Sequence, residues 1–375
     1  MWENPRAWWV TNLGEPEAAL RLGSAVDAPP GARQARVEVC AIGLNHADLL
    51  VCSGRYQERP PLPFVPGFEA AGKIVEVGSG AGLEPGQRVV VVPELPAGAL
   101  AETLTVDSSQ LYPVPDEMPF EVAAVLHVAY QTAHFALHHR AGVRPGESVL
   151  ISGAAGGVGA AALQLGRLAG VRCIALATGA TKAAACRQLG ADEVVDLAEI
   201  GAPHDADDPL VERIRELTAG RGAEVVLDIV GGPLGERLRR CVGFEGRMVV
   251  VGFSSGRIGG FPANHILLRN YSVLGLYLSR YRREDPDLLA SVHSELVALW
   301  SRGALDPPLQ RVLRFEEAPS GLALLARREV VGRVVLRTRG NCGPARSQSG
   351  DGWAQEGSQP DSPSSLAARS ASTKR

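Results

Sequence analysis

No apolar run in this 375-residue chain approaches the length of a bilayer-crossing helix, so no membrane partner is expected. A basic block is missing too. Lys and Arg number 38 against 41 Asp and Glu, and a net charge of −3 offers no stripe to track a nucleic-acid backbone. Six scattered cysteines make no disulfide framework, and reduced thiols are expected. Four closely spaced cysteines, as a structural zinc requires, are absent. Met1-Trp2-Glu3-Asn4-Pro5 lacks the basic-then-apolar layout of a signal peptide, so a cytoplasmic location is expected.

What is present is a large, nearly neutral chain with 45% hydrophobic residues, long enough for two domains of about 100–200 residues each. Arg36 to Ile42 and Gly72 to Val77 alternate polar and apolar residues, and Arg88 to Val92 reads as another strand. Gly/Pro punctuation divides them, notably Pro60 to Gly67, where pyrrolidine rings exclude regular structure. An irregular β domain follows from this. Helical patterning from about Pro119 through Ala136 bridges into the next unit.

That unit starts with the apolar run Val149 to Ile151, which breaks into Gly153-Ala154-Ala155-Gly156-Gly157-Val158-Gly159 and opens a helix. Strand, tight turn and helix N-terminus are what a nucleotide pyrophosphate needs, because small residues admit the phosphates and free N–H groups face them. The helix pattern runs to Ala169 with Gly170 at its cap. Strands at Arg172 to Ala177, Glu193 to Val195, Glu224 to Leu227 and Arg247 to Val251 alternate with helices, including one from Lys182 to Leu189. Such alternation predicts a doubly wound α/β parallel sheet. In the G-x-G-x-x-G fingerprint Ala154 replaces the first glycine, while Gly156 and Gly159 keep the others. Ala177, Thr178 and Gly179 stand where an NAD-selecting acid belongs, and Lys182 can pair with a 2′-phosphate. NADPH is therefore expected over NADH.

Later come a strand-like Tyr271 to Leu276, helices at Leu288 to Trp300 and Ser320 to Ala326, and a closing strand from Gly332 to Leu336. Tyr277 to Arg283 reads as a loop, and beyond Arg339 the composition predicts a disordered tail.

Ordered motifs spread over roughly residues 5 to 338 carry a resemblance. They are Asn45-His46-Ala47-Asp48 followed by Ser53-Gly54-Arg55-Tyr56, then Pro66 to Gly72, Pro85 to Val89 and Gly153 to Gly159. Asp228-Ile229-Val230-Gly231-Gly232, Val251-Gly252-Phe253 and Gly332-Arg333-Val334-Val335 complete the set. The chain resembles the quinone oxidoreductase, or zeta-crystallin, branch of the medium-chain dehydrogenase/reductase superfamily.

The resemblance implies a GroES-like β domain (1–126), a Rossmann NADP-binding domain (127–277), and completion of the first domain by 278–338, before a tail at 339–375. Zinc-dependent relatives carry a cysteine where this chain has Asn45 and a histidine where it has Phe68; neither replacement ligates zinc. Cys40, His46 and Cys52 make a poor substitute set, with Cys40 reading as a small core residue. By resemblance Asn45 lies near the nicotinamide, where it hydrogen-bonds substrate or cofactor; the second catalytic candidate is Tyr56, read as the polar group facing substrate, whose hydroxyl could orient a carbonyl or supply a proton. Thr132, the turn from Gly153 to Gly159, Lys182, Val230, Gly252, Phe253 and Arg328 are implied in cofactor binding. Leu197 stands where some relatives stack a tyrosine on the adenosine. His127, His134, His138 and His139 have no assigned role.

The implied reaction is hydride transfer from NADPH to a quinone or similar conjugated acceptor without zinc. An enone or enoyl-CoA reductase is the alternative, and an NADPH-binding structural or RNA-binding protein is a third reading from another class. A homodimer or homotetramer is expected through the strand near Tyr271 to Leu276.

Overall fold

A computed structural model describes residues 4–26, 28–203 and 207–340. The tail expected beyond Arg339 lies outside the described residues from 341 onward; Arg339 itself donates from Nε to Glu102 Oε1 at 3.0 Å.

The apolar strands of the second unit form one six-stranded parallel sheet. Its spatial order is Glu193–Asp196, Arg172–Ala177, Ser148–Ile151, Ala223–Asp228, Val242–Val250 and Ser272–Gly275. In chain order this is 3-2-1-4-5-6, the Rossmann arrangement, which opens a ligand crevice where the order reverses between strands 148–151 and 223–228. Helices cover both faces, so the central strands are buried on both sides and read as continuous apolar runs.

Besides a two-stranded sheet of Arg6–Val10 and Leu20–Ser24, the described residues form a seven-stranded, mostly antiparallel sheet. Gln34–Leu44 pairs with Ala70–Val77, Thr103–Asp107 and Arg333–Arg337, and Leu309–Arg314 joins in parallel beyond the last. Strands from late in the chain thus complete a sheet begun near its start. Gln34–Leu44 alternates in burial up to Val39 and is buried throughout after that. The reason is the helix Phe120–His134, which packs onto the second face: Cys40 and Ala41 share a core cluster with Ala124 and Val125, whereas Val39 and Ile42 belong to the opposite cluster. Only Val128 and Thr132 of that helix escape full burial, as expected of an element enclosed between two domains.

Several boundaries differ from the sequence reading. The bridging helix does not fade at Ala136 but continues as a π-helical segment, Phe135–Ala141, closed by Gly142 in the left-handed region. Tyr277 to Arg283 is not a loop: Leu278–Glu284 is helical, with Tyr281 packed on Phe135 at 4.5 Å between ring centroids. The expectation of reduced cysteines holds for Cys52, Cys173, Cys186 and Cys241, which are buried and free, and fails for Cys40, which is disulfide-bonded. Among the described residues no helix is long and apolar enough to cross a membrane.

Candidate functional site

At the strand-order switch lies a cleft of about 960 Å³ whose walls come from both domains. Its floor is the glycine turn. Gly153 takes φ +61°, one place before the alanine that replaces the first glycine of the fingerprint. Ala154 itself is fully buried and faces the core. Gly159 is required for contact, since a Cβ there would stand 2.4 Å from Gly153 O and 2.5 Å from Ala154 Cα. The helix Gly157–Leu168 then starts with its free N–H groups toward the cleft.

The turn is stitched to the other domain. Gly332 N donates to Ala155 O at 2.7 Å, and Gly156 bridges Gly332 in parallel. Arg333, 4% exposed, lies beneath Gly157, so that a Cβ on that glycine would fall 2.6 Å from Arg333 Cδ. Its Nη2 donates to Glu69 Oε1, its Nε is buried without a partner among the described residues, and other atoms of the side chain line the cleft.

Glu69 is fully buried and fully used. Oε1 also accepts from Asn45 Nδ2 at 3.0 Å, and Oε2 accepts from Val128 N at 2.9 Å. A buried carboxylate without such partners would be costly; here one guanidinium, one amide and one backbone N–H stabilise it. Sequence reasoning gave neither Glu69 nor Arg333 a role, although both stand inside quoted motifs.

Asn45 caps the short helix His46–Cys52, its backbone N–H donating to Asp48 Oδ2 at 2.7 Å. Its side-chain amide donates to Gly43 O at 3.1 Å as well as to Glu69. Both partners only accept, which settles which way the amide points. The carbonyl Oδ1 faces Asp48 N across the capping box and keeps a lone pair for a ligand in the cleft. Asn45 can therefore accept a hydrogen bond there but not donate one. Asp48 beside it is fully buried, its Oδ1 lacks a partner among the described residues, and burial pushes its carboxyl up to about 7.

The far end of the cleft is cationic. Lys182 Nζ donates to Arg328 O at 2.5 Å, and burial together with the Arg328 charge holds the ammonium below its usual range. Arg328 has φ +57°, which turns the chain back toward the cleft wall. Arg237 and Arg240 also line this end, but Asp208 answers them at 2.7 and 3.7 Å. Leu197 lines the wall where a stacking tyrosine was considered. A side cavity of about 190 Å³ shares His46 and Arg328 with the cleft and adds Arg55 and Glu15. Burial, then the charges of Arg328 and Arg55, hold the His46 imidazole below its usual range.

The structure gathers Asn45, Gly153, Ala155 to Gly159, Lys182, Val230 and Arg328 around one cleft. Other residues singled out from sequence stand outside its walls. Thr132 Oγ1 donates to Val128 O at 2.7 Å, back along its own helix. Phe253 lies behind Gly231, whose added Cβ would fall 2.6 Å from Phe253 Cδ1, and Gly252 N donates to Asp228 O at 3.2 Å. Tyr56 packs on Phe68 with ring centroids 5.1 Å apart. His127 and His293 meet at 3.1 Å between Nδ1 atoms, buried between helices Phe120–His134 and Pro286–Ser301. Among the described residues no three His, Cys, Asp or Glu side chains converge as a metal site.

Comparison with known proteins places both domains. Residues 31–116 match the alcohol dehydrogenase GroES-like domain, and residues 157–294 match the zinc-binding dehydrogenase model. Quinone oxidoreductase-like protein 2 of Mus musculus is 34% identical over 336 residues, spanning 88% of this chain and 91% of that protein. The synaptic vesicle membrane protein VAT-1 homolog of Homo sapiens is 31% identical over 340 residues, spanning 86% and 84%. Among solved structures, Escherichia coli quinone oxidoreductase complexed with NADPH superposes with a TM-score of 0.81 at 30% identity, over 88% of this chain and 99% of that one.

Proposed function

We propose, from the premise that this chain belongs to the quinone oxidoreductase family of medium-chain dehydrogenases/reductases, that it reduces a quinone or similar conjugated acceptor with NADPH and without zinc. The observation that carries the reading is the cleft at the strand-order switch, where glycine turn, Arg333, Asn45 and Lys182 converge.

The residues present fit a dinucleotide. The first N–H groups of helix Gly157–Leu168 offer donors to a pyrophosphate, in a turn too tight for side chains, with the Arg333 guanidinium beneath it as a fixed positive charge. Lys182 and Arg328 would hold a 2′-phosphate, and no acid at Ala177 or Thr178 repels one. When bound, NADPH supplies the hydride. Asn45 Oδ1, held by Glu69, would accept from the nicotinamide end, such as a ribose hydroxyl or a carboxamide N–H. Asn45 and Phe68 at the ligand positions of zinc-dependent relatives support acceptors that need no Lewis acid. Tyr56 is the hydroxyl we assign to the substrate side.

The enoyl-thioester alternative has one observation in its favour, the side cavity with Arg55, His46 and Arg328, which could receive a phosphate-bearing arm. We further infer a homo-oligomer. Strand Ser272–Gly275 ends the sheet with one side unpaired, helix Ala263–Arg269 buries no residue, and Leu267 and Leu268 are 74% and 78% exposed. A second copy across a two-fold axis would cover both edge and apolar face.

One preparation, screened for NADPH oxidation with quinones, simple enones and enoyl-CoA esters, tests the reading. The highest kcat/KM is expected with a quinone, at no bound zinc; turnover of no acceptor, or one tightly held zinc per chain, would sink it.

A further inference from the structure

The side cavity of about 190 Å³ is left over once a dinucleotide is placed in the cleft beside it. It lies on the seam between the domains: Ser53 and Arg55 come from the first, Ser254 to Gly256 from the second, and Arg328 from the returning C-terminal segment. Sites that enclose a drug-sized ligand run to roughly 300–1,000 Å³, so this one suits a small group with its waters. Two arginines without countercharge set its chemistry. Among the described residues neither Arg55 nor Arg328 meets a carboxylate, and the acids close to them in sequence are engaged elsewhere. Glu58 accepts from Tyr277 at 2.6 Å and from Arg283 at 3.3 Å, and Glu329 accepts from Arg327 at 3.1 Å. Glu15, the one acid in the walls, is exposed and pairs with neither arginine. The cleft arginines Arg237 and Arg240 differ, because Asp208 answers both.

Both arginines are also positioned. Arg55 Nε donates to Ser53 Oγ at 2.9 Å, and its guanidinium lies against Gly256 of the opposite domain, where a Cβ would meet Nη1 at 3.4 Å. Gly256 has φ +74°, which keeps that place for glycine. Arg328 stands just past helix Ala318–Ala326 at φ +57°, a left-handed position that glycine usually takes. An arginine there costs backbone strain and sets a cation on the wall that cleft and cavity share. His46 is on the same shared wall. Burial, then the charges of Arg328 and Arg55, hold its imidazole below the usual range, and an anion among the three would relieve that.

We propose that the side cavity is a second phosphate site, separate from the one for the cofactor's 2′-phosphate, in which a phosphate group lies between Arg55 and Arg328 and ties the two domains together. The planar fork of each guanidinium matches two oxygens of a tetrahedral phosphate. Both arginines are exposed, so the binding is weak and falls as salt rises. The proposal rests on the reading that NADPH fills the main cleft and is independent of which acceptor is reduced. The phosphate is either free or the end of a phosphorylated arm on the acceptor.

Thermal unfolding of the full chain, saturated with NADPH at constant ionic strength, tests the site when inorganic phosphate replaces chloride. Phosphate is expected to raise the melting temperature beyond what NADPH achieves, in the wild type and in Lys182→Ala alike. Arg55→Ala is expected to weaken phosphate at least about tenfold, through loss of a charge-assisted contact, and Arg55→Lys to restore part of it. Coenzyme A and dephospho-coenzyme A separate the two sources. Coenzyme A binding more tightly than both dephospho-coenzyme A and inorganic phosphate assigns the cavity to an acceptor's arm, and coenzyme A no tighter than inorganic phosphate assigns it to the free ion. A phosphate effect that vanishes at saturating NADPH, or in Lys182→Ala, places the ion at the 2′-phosphate position and overturns the second site. An effect unaltered in Arg55→Ala, or none beyond chloride, overturns it as well. A chain that NADPH fails to stabilise removes the oxidoreductase reading instead, and Arg55-dependent protection by phosphate in the cofactor-free protein then still upholds the site.

Discussion

The two ends of the cleft are built in opposite ways. The glycine-turn end is made of backbone: a left-handed Gly153, a Gly159 without room for Cβ, and a helix N-terminus, with Lys182 and Arg328 as positive charge at the rim. The Asn45 end is made of side chains held by specific partners, Glu69 by Asn45, Arg333 and Val128 N, and Glu58 by Tyr277. A backbone site offers donors to any pyrophosphate and tolerates change at its rim. A side-chain site sets the polarity of each contact, and one lost partner disturbs the rest. In our reading, affinity for the cofactor and selection of the acceptor are therefore separable properties of one cavity.

Three changes test that separation. The largest effect is expected from Glu69→Ala, which joins the ends only through Arg333. It leaves that guanidinium buried and unpaired and frees the Asn45 amide, for a loss of about 3–5 kcal/mol in chemical denaturation. A loss under about 1 kcal/mol would show that the ends are independent.

Acidification comes next, and it should strike the Asn45 side. His293 Nε2 lies 2.9 Å from Pro113 O and must donate to it, which leaves its Nδ1 to accept from His127. Both imidazoles are thereby neutral, and burial holds both below their usual range. The unfolded chain takes up protons that the folded one refuses. Stability is full above about pH 6.5 and falls by about 1.4 kcal/mol per pH unit and per histidine below it. His127→Asn should flatten that slope in melting curves between pH 5 and 7. An unchanged slope assigns the acid sensitivity elsewhere.

Lys182→Ala is the mildest. NADPH is expected to bind about tenfold more weakly, a change of about 1.4 kcal/mol, with NADH unchanged. Equal losses for both cofactors, read by fluorescence titration, would remove Lys182 from the 2′-phosphate.

Legibility in the sequence followed the same division. The turn, its helix and the strand alternation could be read because each depends on neighbours within a few residues. Glu69 and Arg333 could not be paired, since they stand 264 positions apart and meet only when strand Arg333–Arg337 has joined the first sheet. Nor could the direction of the Asn45 amide be read, because it depends on two acceptors brought in by folding. The helix Leu278–Glu284 escaped notice for a different reason: Leu278 and Tyr281 are its only apolar residues, too few to show a period.

The late arrival of strands Leu309–Arg314 and Arg333–Arg337 sets an order of events during synthesis. The parallel sheet needs nothing beyond Gly275 and can close while the ribosome is still translating. The first sheet must wait, with Gln34–Leu44 lacking one neighbour until almost 300 further residues have emerged. A nascent chain stalled near residue 305 would therefore own a finished nucleotide fold, an open β edge, and no Arg333 to hold Glu69.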